Sequence, residues 1–240
     1  MSVRRVGILG GMGPAATADF YTKLIRATPA GRDQEHLPVV IWADPRVPDR
    51  SAALLDGGED PTPVLRRGVA ELVRSGCEVL AVPCNTAHAF LAEAIGDAAI
   101  DLVSIVEAAA GDAQRAGITK AGLLATAGTA ASGLHAEALA VRGVGVELPT
   151  EAEQQAVTAV IAAVKAGTVD TEVRSALLAV VDALAARGAD GVISACTEVI
   201  LALDGTAPSL PVIDPAVSLA TQVVAAATSP PRANYLRSIG

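Results

Sequence analysis

Aromatic side chains are 2% of the 240 residues: one Trp, two Tyr and two Phe. A core without large rings must be closed by many small and β-branched contacts, which suits helices packed tightly on a parallel sheet. Cysteine is equally scarce. Cys77, Cys84 and Cys196 are odd in number and no pair has zinc-ligand spacing, so a disulfide framework and a zinc site are both disfavoured. Each thiol is then either reactive or a small buried side chain. Positive charge is short as well: 18 Lys+Arg against 26 Asp+Glu leave a net charge of −8, the wrong sign for a phosphate backbone. This argues against nucleic acid as a partner. No apolar run reaches the ~20 residues of a membrane span. The Arg4-Arg5 pair and the apolar stretch after it have the look of a secretory leader, but Gly10-Gly11-Met12-Gly13-Pro14 breaks the run early. A cytoplasmic protein with no membrane partner is the expectation.

What is present is apolar and small. Hydrophobic residues are 51% and charged residues 18%, which excludes a disordered chain. The length fits one large α/β unit or two lobes of roughly 100–120 residues. Short β-branched runs at 6–9, 39–42, 79–82, 102–105, 122–125, 192–194 and 212–213 predict strands. Apolar residues at three- and four-residue spacing predict helices over 17–27, 63–75, 87–95, 105–116, 151–166 and 171–187. Gly31, Gly117, Gly167 and Gly188 stand where helices should stop. Such alternation predicts an α/β fold with parallel sheets flanked by helices.

The two halves share a plan. Val6-Gly7-Ile8-Leu9 running into Gly10-Gly11-Met12-Gly13 matches Ala121-Gly122-Leu123-Leu124 running into Ala125-Thr126-Ala127-Gly128. The strand ending at Cys84-Asn85-Thr86 matches the one ending at Cys196-Thr197-Glu198. Gly7 and Gly122 are 115 residues apart, and Cys84 and Cys196 are 112 apart. Two lobes, related by a pseudo-two-fold axis, would each carry one cysteine at the C-terminal end of a strand, where α/β folds place ligands. Chance similarity between two Ala/Gly-rich units is the alternative. The expected division is 1–100 plus 208–240 for the lobe with Cys84, and 101–207 for the lobe with Cys196.

Both cysteines precede a predicted helix, whose free N–H groups would favour a thiolate. Two thiols in matched positions could flank a Cα from its two faces, one removing a proton and the other returning one. Cys77 has no polar context and reads as core. The turn Gly11-x-Gly13-x-x-Ala16 satisfies a loose dinucleotide-binding pattern, but the acidic residue expected to follow, Asp44, comes after a Pro-interrupted segment. A turn whose N–H groups approach a carboxylate is the simpler reading. His88 lies four positions after Cys84 and either tunes the thiol or packs. His36 and His135 have no partner visible in sequence. Lys23, Lys120 and Lys165 offer no Schiff-base context.

The ordered stretches GILGGMGPAATADFYTKLI (7–25), RDQEH (32–36), PDRSA (48–52), GEDP (58–61), PCNTAHAF (83–90), GLLATAGT (122–129), PTEAEQ (149–154), VKAG (164–167), CTEV (196–199) and IDP (213–215) span nearly the whole chain. With them the chain resembles the pyridoxal-phosphate-independent aspartate/glutamate racemase family, and most of all its aspartate racemases. The resemblance implies two α/β lobes, a site in the cleft between them, no cofactor, no metal, a small amino-acid substrate and a homodimer. It implies Cys84 and Cys196 as acid and base. It also implies that Asn85, Thr86, Thr126, Thr129 and Thr197 hold the substrate's α-carboxylate and amino group, and that Arg50 and Lys165 engage a side-chain carboxylate.

Three departures bear on specificity. Met12 and Glu198 stand where glutamate racemases carry Asp and His, which disfavours glutamate and makes both residues candidates for substrate contact. Ala195 replaces the usual Gly before the second cysteine. Trp42-Ala43-Asp44-Pro45-Arg46 replaces a stretch that is often Asn-rich. Racemisation of an acidic amino acid, aspartate first, is the expectation. Alternatives are a broad-specificity amino-acid racemase, a hydantoin racemase or isomerase, a catalytically silent racemase fold, and, from another class, a nucleotide-binding module.

Overall fold

The computed structural model describes residues 3–229. Strands β1 (Val6–Gly10), β2 (Val39–Ala43), β3 (Val79–Ala81) and β4 (Asp101–Val103) form one sheet, and β5 (Lys120–Ala125), β6 (Gly145–Glu147), β7 (Gly191–Ala195) and β8 (Val212–Ile213) form another. The strand orders are β2-β1-β3-β4 and β6-β5-β7-β8, with every pairing parallel, so the second sheet repeats the first strand for strand. The helices are α1 (Pro14–Ala27), α2 (Arg50–Leu55), α3 (Thr62–Arg74), α4 (His88–Ile95), α5 (Ile105–Arg115), α6 (Ala127–Ala131), α7 (Leu134–Ala140), α8 (Glu151–Lys165), α9 (Thr171–Ala186), α10 (Thr197–Leu203) and α11 (Pro215–Thr228).

Local chemistry explains where these helices begin. Ser104, Thr150, Asp170 and Asp214 each accept a hydrogen bond from a first-turn N–H, and Thr150 with Glu153 closes a capping box. Helices α5, α8 and α9 end just before Gly117, Gly167 and Gly188, as expected, whereas α1 has already ended before Gly31.

Packing produces five layers. Helices α3 and α4 cover the outer face of the first sheet with Leu65, Val69, Leu72 and Leu91. Helices α8, α9 and α10 cover the outer face of the second with Val157, Leu177, Val181 and Val199. Between the sheets, α1, α5, α7 and α11 form one shared layer that touches Val6, Ile8 and Ala81 on one side and Leu123, Ile193 and Ala195 on the other. Alanines 109, 110, 113, 138, 216, 220 and 227 line this layer, so its backbones approach closely without rings. Phe20 is the large exception and is fully buried; truncating it to alanine costs about 3–5 kcal/mol.

Some expectations change. β4 pairs with β3 and belongs to the first sheet, although 101 onward was expected in the second lobe. β8 pairs with β7 and belongs to the second sheet, although 208 onward was expected in the first. The reason is the repeat itself: each half needs a fourth strand on the same edge, while α11 returns to pack on α1 and α5. The last part of the expected 208–240 segment, 230–240, lies outside the described residues. β6 is three residues with a single apolar side chain, and α2, α6, α7 and α10 are five to seven residues long, too short for periodicity to show. Among the described residues no helix is long and apolar enough to cross a membrane.

Candidate active site

Parallel sheets bring the C-terminal ends of their strands to one edge, and here both edges meet. The turn after β1 holds Met12, that after β3 holds Cys84, Asn85 and Thr86, that after β5 holds Thr126, and that after β7 holds Cys196. β3 and β7 occupy the same place in their sheets, so the two cysteines occupy equivalent turns.

The first turn is shaped by close approach. Gly11, at φ +95°, lies against the Asp44 backbone, where an added Cβ would come within 2.5 Å, and its N–H donates to Thr17 Oγ1 at 2.9 Å. Asp44 itself is engaged by Arg46 and Arg67, and the Arg46 hydrogen bonds hold its carboxyl down to about 2. It is thus occupied rather than free to hold a ribose, which removes the acidic half of a dinucleotide fingerprint.

Polar groups join the lobes beside Cys84. Thr86 Oγ1 lies 3.1 Å from Thr126 Oγ1 and 2.7 Å from Thr129 Oγ1, and those two are 3.0 Å apart. The three hydroxyls close a ring in which each can donate once and accept once. His135 Nε2 reaches Asn85 Oδ1 at 3.0 Å from the other lobe. His88 Nε2 accepts from the Ile105 N–H at 3.2 Å, so the proton sits on Nδ1 and is donated to the Cys84 carbonyl at 2.9 Å. Burial pushes both His88 and His135 down to about 4, leaving both rings neutral near pH 7.

The two thiols differ in setting. Cys84 was expected at a helix start, but its N–H bonds to Val82 O at 2.8 Å and residues 85–87 form a turn before α4 begins at His88. Cys196 is the N-cap of α10, yet its thiol is not favoured as a thiolate. Burial, then the Glu198 charge, raises it well above the ordinary range. Its Sγ–H donates to Glu198 Oε2 at 3.0 Å, and Thr197 Oγ1 donates to the same oxygen at 3.0 Å. Glu198 Oε1 extends toward Gly13 in the first lobe, 4.0 Å from where a Cβ would stand. Ala195 is buried on β7, Met12 is buried with Cys84 in one apolar cluster, and Cys77 is core in that same cluster.

Arg50 opens α2, whose N-cap Asp49 accepts from Ala52 N–H at 2.9 Å. Its guanidinium donates to the carbonyls of Pro48 (3.1 Å), Val47 (3.3 Å) and Met12 (3.4 Å), while Nε is sealed without a partner. Among the described residues no carboxylate lies within 4 Å of Arg50 or of Lys165 at the end of α8. The Lys165 charge nevertheless acts on Asp49 in the first lobe and on Cys196 in the second. α2 docks on α6 of the opposite lobe at Gly128, where a Cβ would sit 2.7 Å from Ser51 Cα.

Every candidate from the sequence thus falls in the turns and helix ends at this meeting edge. His135, Ser51 and Gly128 were missed as participants, because their partners are remote in sequence. Cavities of about 680 and 400 Å³ flank β4 instead and contain neither Cys84 nor Cys196; only His88 of this neighbourhood lines one of them. Among the described residues no group of three or more His, Cys, Asp or Glu is placed to hold a metal.

Residues 9–223 match the family model described as Asp/Glu/Hydantoin racemase, and the chain belongs to that family. It is 30% identical over 223 residues to the broad specificity amino-acid racemase RacX of Bacillus subtilis, covering 91% of this chain and 96% of that one. Picrophilus torridus aspartate racemase has a similar structure, with TM-score 0.83 and 29% identity over 93% of this chain and 94% of that one. Glutamate racemase from Francisella tularensis, in complex with D-glutamate, shares the fold at TM-score 0.68 and 14% identity, covering 94% of this chain and 81% of that one.

Proposed function

We propose that the protein racemises an amino acid with an acidic side chain, aspartate first, by two-base proton transfer between Cys84 and Cys196 without a cofactor. The observation that carries this reading is the equivalence of the two cysteine turns, after the third strand in the order of each sheet, at the edge where the lobes meet. One thiolate removes the α-proton and the other thiol delivers a proton to the opposite face. Cys196, hydrogen-bonded to Glu198 and held protonated, is the donor in the form shown, and Cys84 is then the base. In the reverse direction Glu198 is placed to take the Cys196 proton.

In a cofactor-free reaction the carbanion is stabilised where its charge develops, on the α-carboxylate. Asn85, Thr197 and the Thr86-Thr126-Thr129 ring supply donors there, the ring opening to do so. A substrate side-chain carboxylate would meet Arg50 and Lys165, two cations with no acidic partner among the described residues, and that favours aspartate. Met12 shapes the floor through its carbonyl bond to Arg50. Broad specificity is the second reading, favoured by the similarity to RacX. A cytoplasmic homodimer accompanies this reading on the strength of the resemblance.

The test is loss of the Cα-proton NMR signal in heavy water from both enantiomers of aspartate, glutamate and several neutral amino acids, with a chiral assay in parallel. Exchange with inversion for aspartate alone is the expected result. Exchange across many side chains makes the protein a broad-specificity racemase, and none from folded, reduced protein overturns the proposal.

A further inference from the structure

Asn85 follows Cys84 directly, and its side chain is gripped from the opposite lobe. His135, the second residue of α7 and only 1% exposed, places Nε2 3.0 Å from Asn85 Oδ1 across a separation of 50 residues. The proton positions follow from what the other nitrogen lacks. His135 Nδ1 is sealed and has no partner. If Nε2 were bare and accepted from the Asn85 amide, Nδ1 would carry a buried proton with no acceptor, the costlier kind of orphan. With the proton on Nε2, the buried atom left over is only an unused lone pair, and the Asn85 oxygen is the acceptor. The Asn85 Nδ2 group then points away from His135. It makes no hydrogen bond among the described residues and is not one of the atoms sealed from solvent.

We propose that His135 is a positioning residue: from the second lobe it fixes the Asn85 carboxamide so that its two N–H donors stand free beside Cys84 for a substrate carboxylate. The proposal rests on the two-cysteine reading above. It makes the donor available only when the lobes are docked, because the residue that orients it and the residue that carries it belong to different lobes. The grip is stiff, since α7 is anchored by Ala138 and Leu139 in the middle layer and Asn85 is held by the turn whose Cys84 carbonyl His88 binds.

Three variants test it. His135→Gln keeps a donor at comparable reach, His135→Leu keeps volume without the donor, and Asn85→Ala removes the group being positioned. Expected is a fall of about 10-fold in kcat/KM for His135→Leu, the scale of one hydrogen bond, and recovery to within about threefold for His135→Gln. In the Asn85→Ala background His135→Leu should add nothing further, because the two act as one unit. Equal damage from Gln and Leu, or multiplicative losses in the double variant, overturns the proposal. Nitrogen NMR of the wild-type imidazole supplies a readout independent of turnover and of any variant's folding. The proton is expected on Nε2, and a ring protonated on Nδ1 overturns the assignment. If the wild type racemises nothing, the racemase reading fails alone, while the tautomer and the response of the Asn85 amide resonances to His135→Gln still decide the positioning.

Discussion

Protonation of His135 should limit the stability of the fold in mild acid. Burial lowers this histidine from 6.5 to about 4. Its folded-state value lies below its unfolded one, so unfolding takes up a proton. The associated stability is fully present above pH 6.5 and is lost as pH falls toward the folded value near 4. At 1.36 kcal/mol per unit, the whole depression corresponds to about 3 kcal/mol, most of which is gone by pH 4.5. His88 is also lowered to about 4 by burial and takes up its proton in the same window, but it does so in wild type and variant alike. The carboxyls held near 2, Asp44 and Glu153, begin to lose their contribution as pH falls through their unfolded values of 3.8 and 4.5, equally in wild type and variant. Urea unfolding of wild type and His135→Gln at constant ionic strength, from pH 7.5 to 4.5, isolates the effect. Wild type should lose about 2–3 kcal/mol more than the variant over that range. Parallel losses in the two proteins would refute the reasoning, because they would place the proton uptake elsewhere.

Other outcomes follow from the same geometry. Replacing either Cys84 or Cys196 by Ser should lower racemisation by about 10³-fold or more, several kcal/mol of barrier; near-full activity in either variant sinks the two-base scheme. Glu198→Gln removes the charge but leaves an acceptor for the thiol, so the Cys196 thiol should titrate lower than in wild type, yet remain above the ordinary range because burial is its first cause. Ultraviolet thiolate absorbance reads this, and a value unchanged or raised contradicts it. Gly128→Ala puts a methyl where Ser51 Cα stands 2.7 Å away, which should cost about 1–3 kcal/mol and push back the helix that carries Arg50. The expected signature is a lower melting temperature with a KM for aspartate that rises more than kcat falls.

Much of this molecule could be read in the chain. Among the described residues, seven of the eight strands and six of the seven helices of eight residues or more announce themselves, because periodicity over several turns and β-branched runs ended by small residues are local properties. The repeat at a spacing near 113 residues made two like sheets readable, and with them the equivalence of Cys84 and Cys196. α11 was not read: Ala- and Val-rich and half buried along its length, it lacks a strongly polar face.

Other features depended on approach between segments remote in sequence. The middle layer that both sheets share makes one core out of two halves, and it sends β8 to the second sheet while α11 packs with the first lobe's α1. Only docking of the lobes brings His135 to Asn85, Thr129 to Thr86 and Gly128 against Ser51, pairs separated by 40 to 80 positions whose partners no local pattern can name. The protonation of Cys196 was decided the same way. A thiol at a helix start would be acidic by local rule, but tertiary burial strips its water and Glu198 stands beside it, and together they outweigh the helix. Sequence determined which residues could do chemistry, because side-chain type and spacing are written there. Tertiary structure decided which of them touch and which hold their protons, because distance and desolvation exist only once the two sheets are packed.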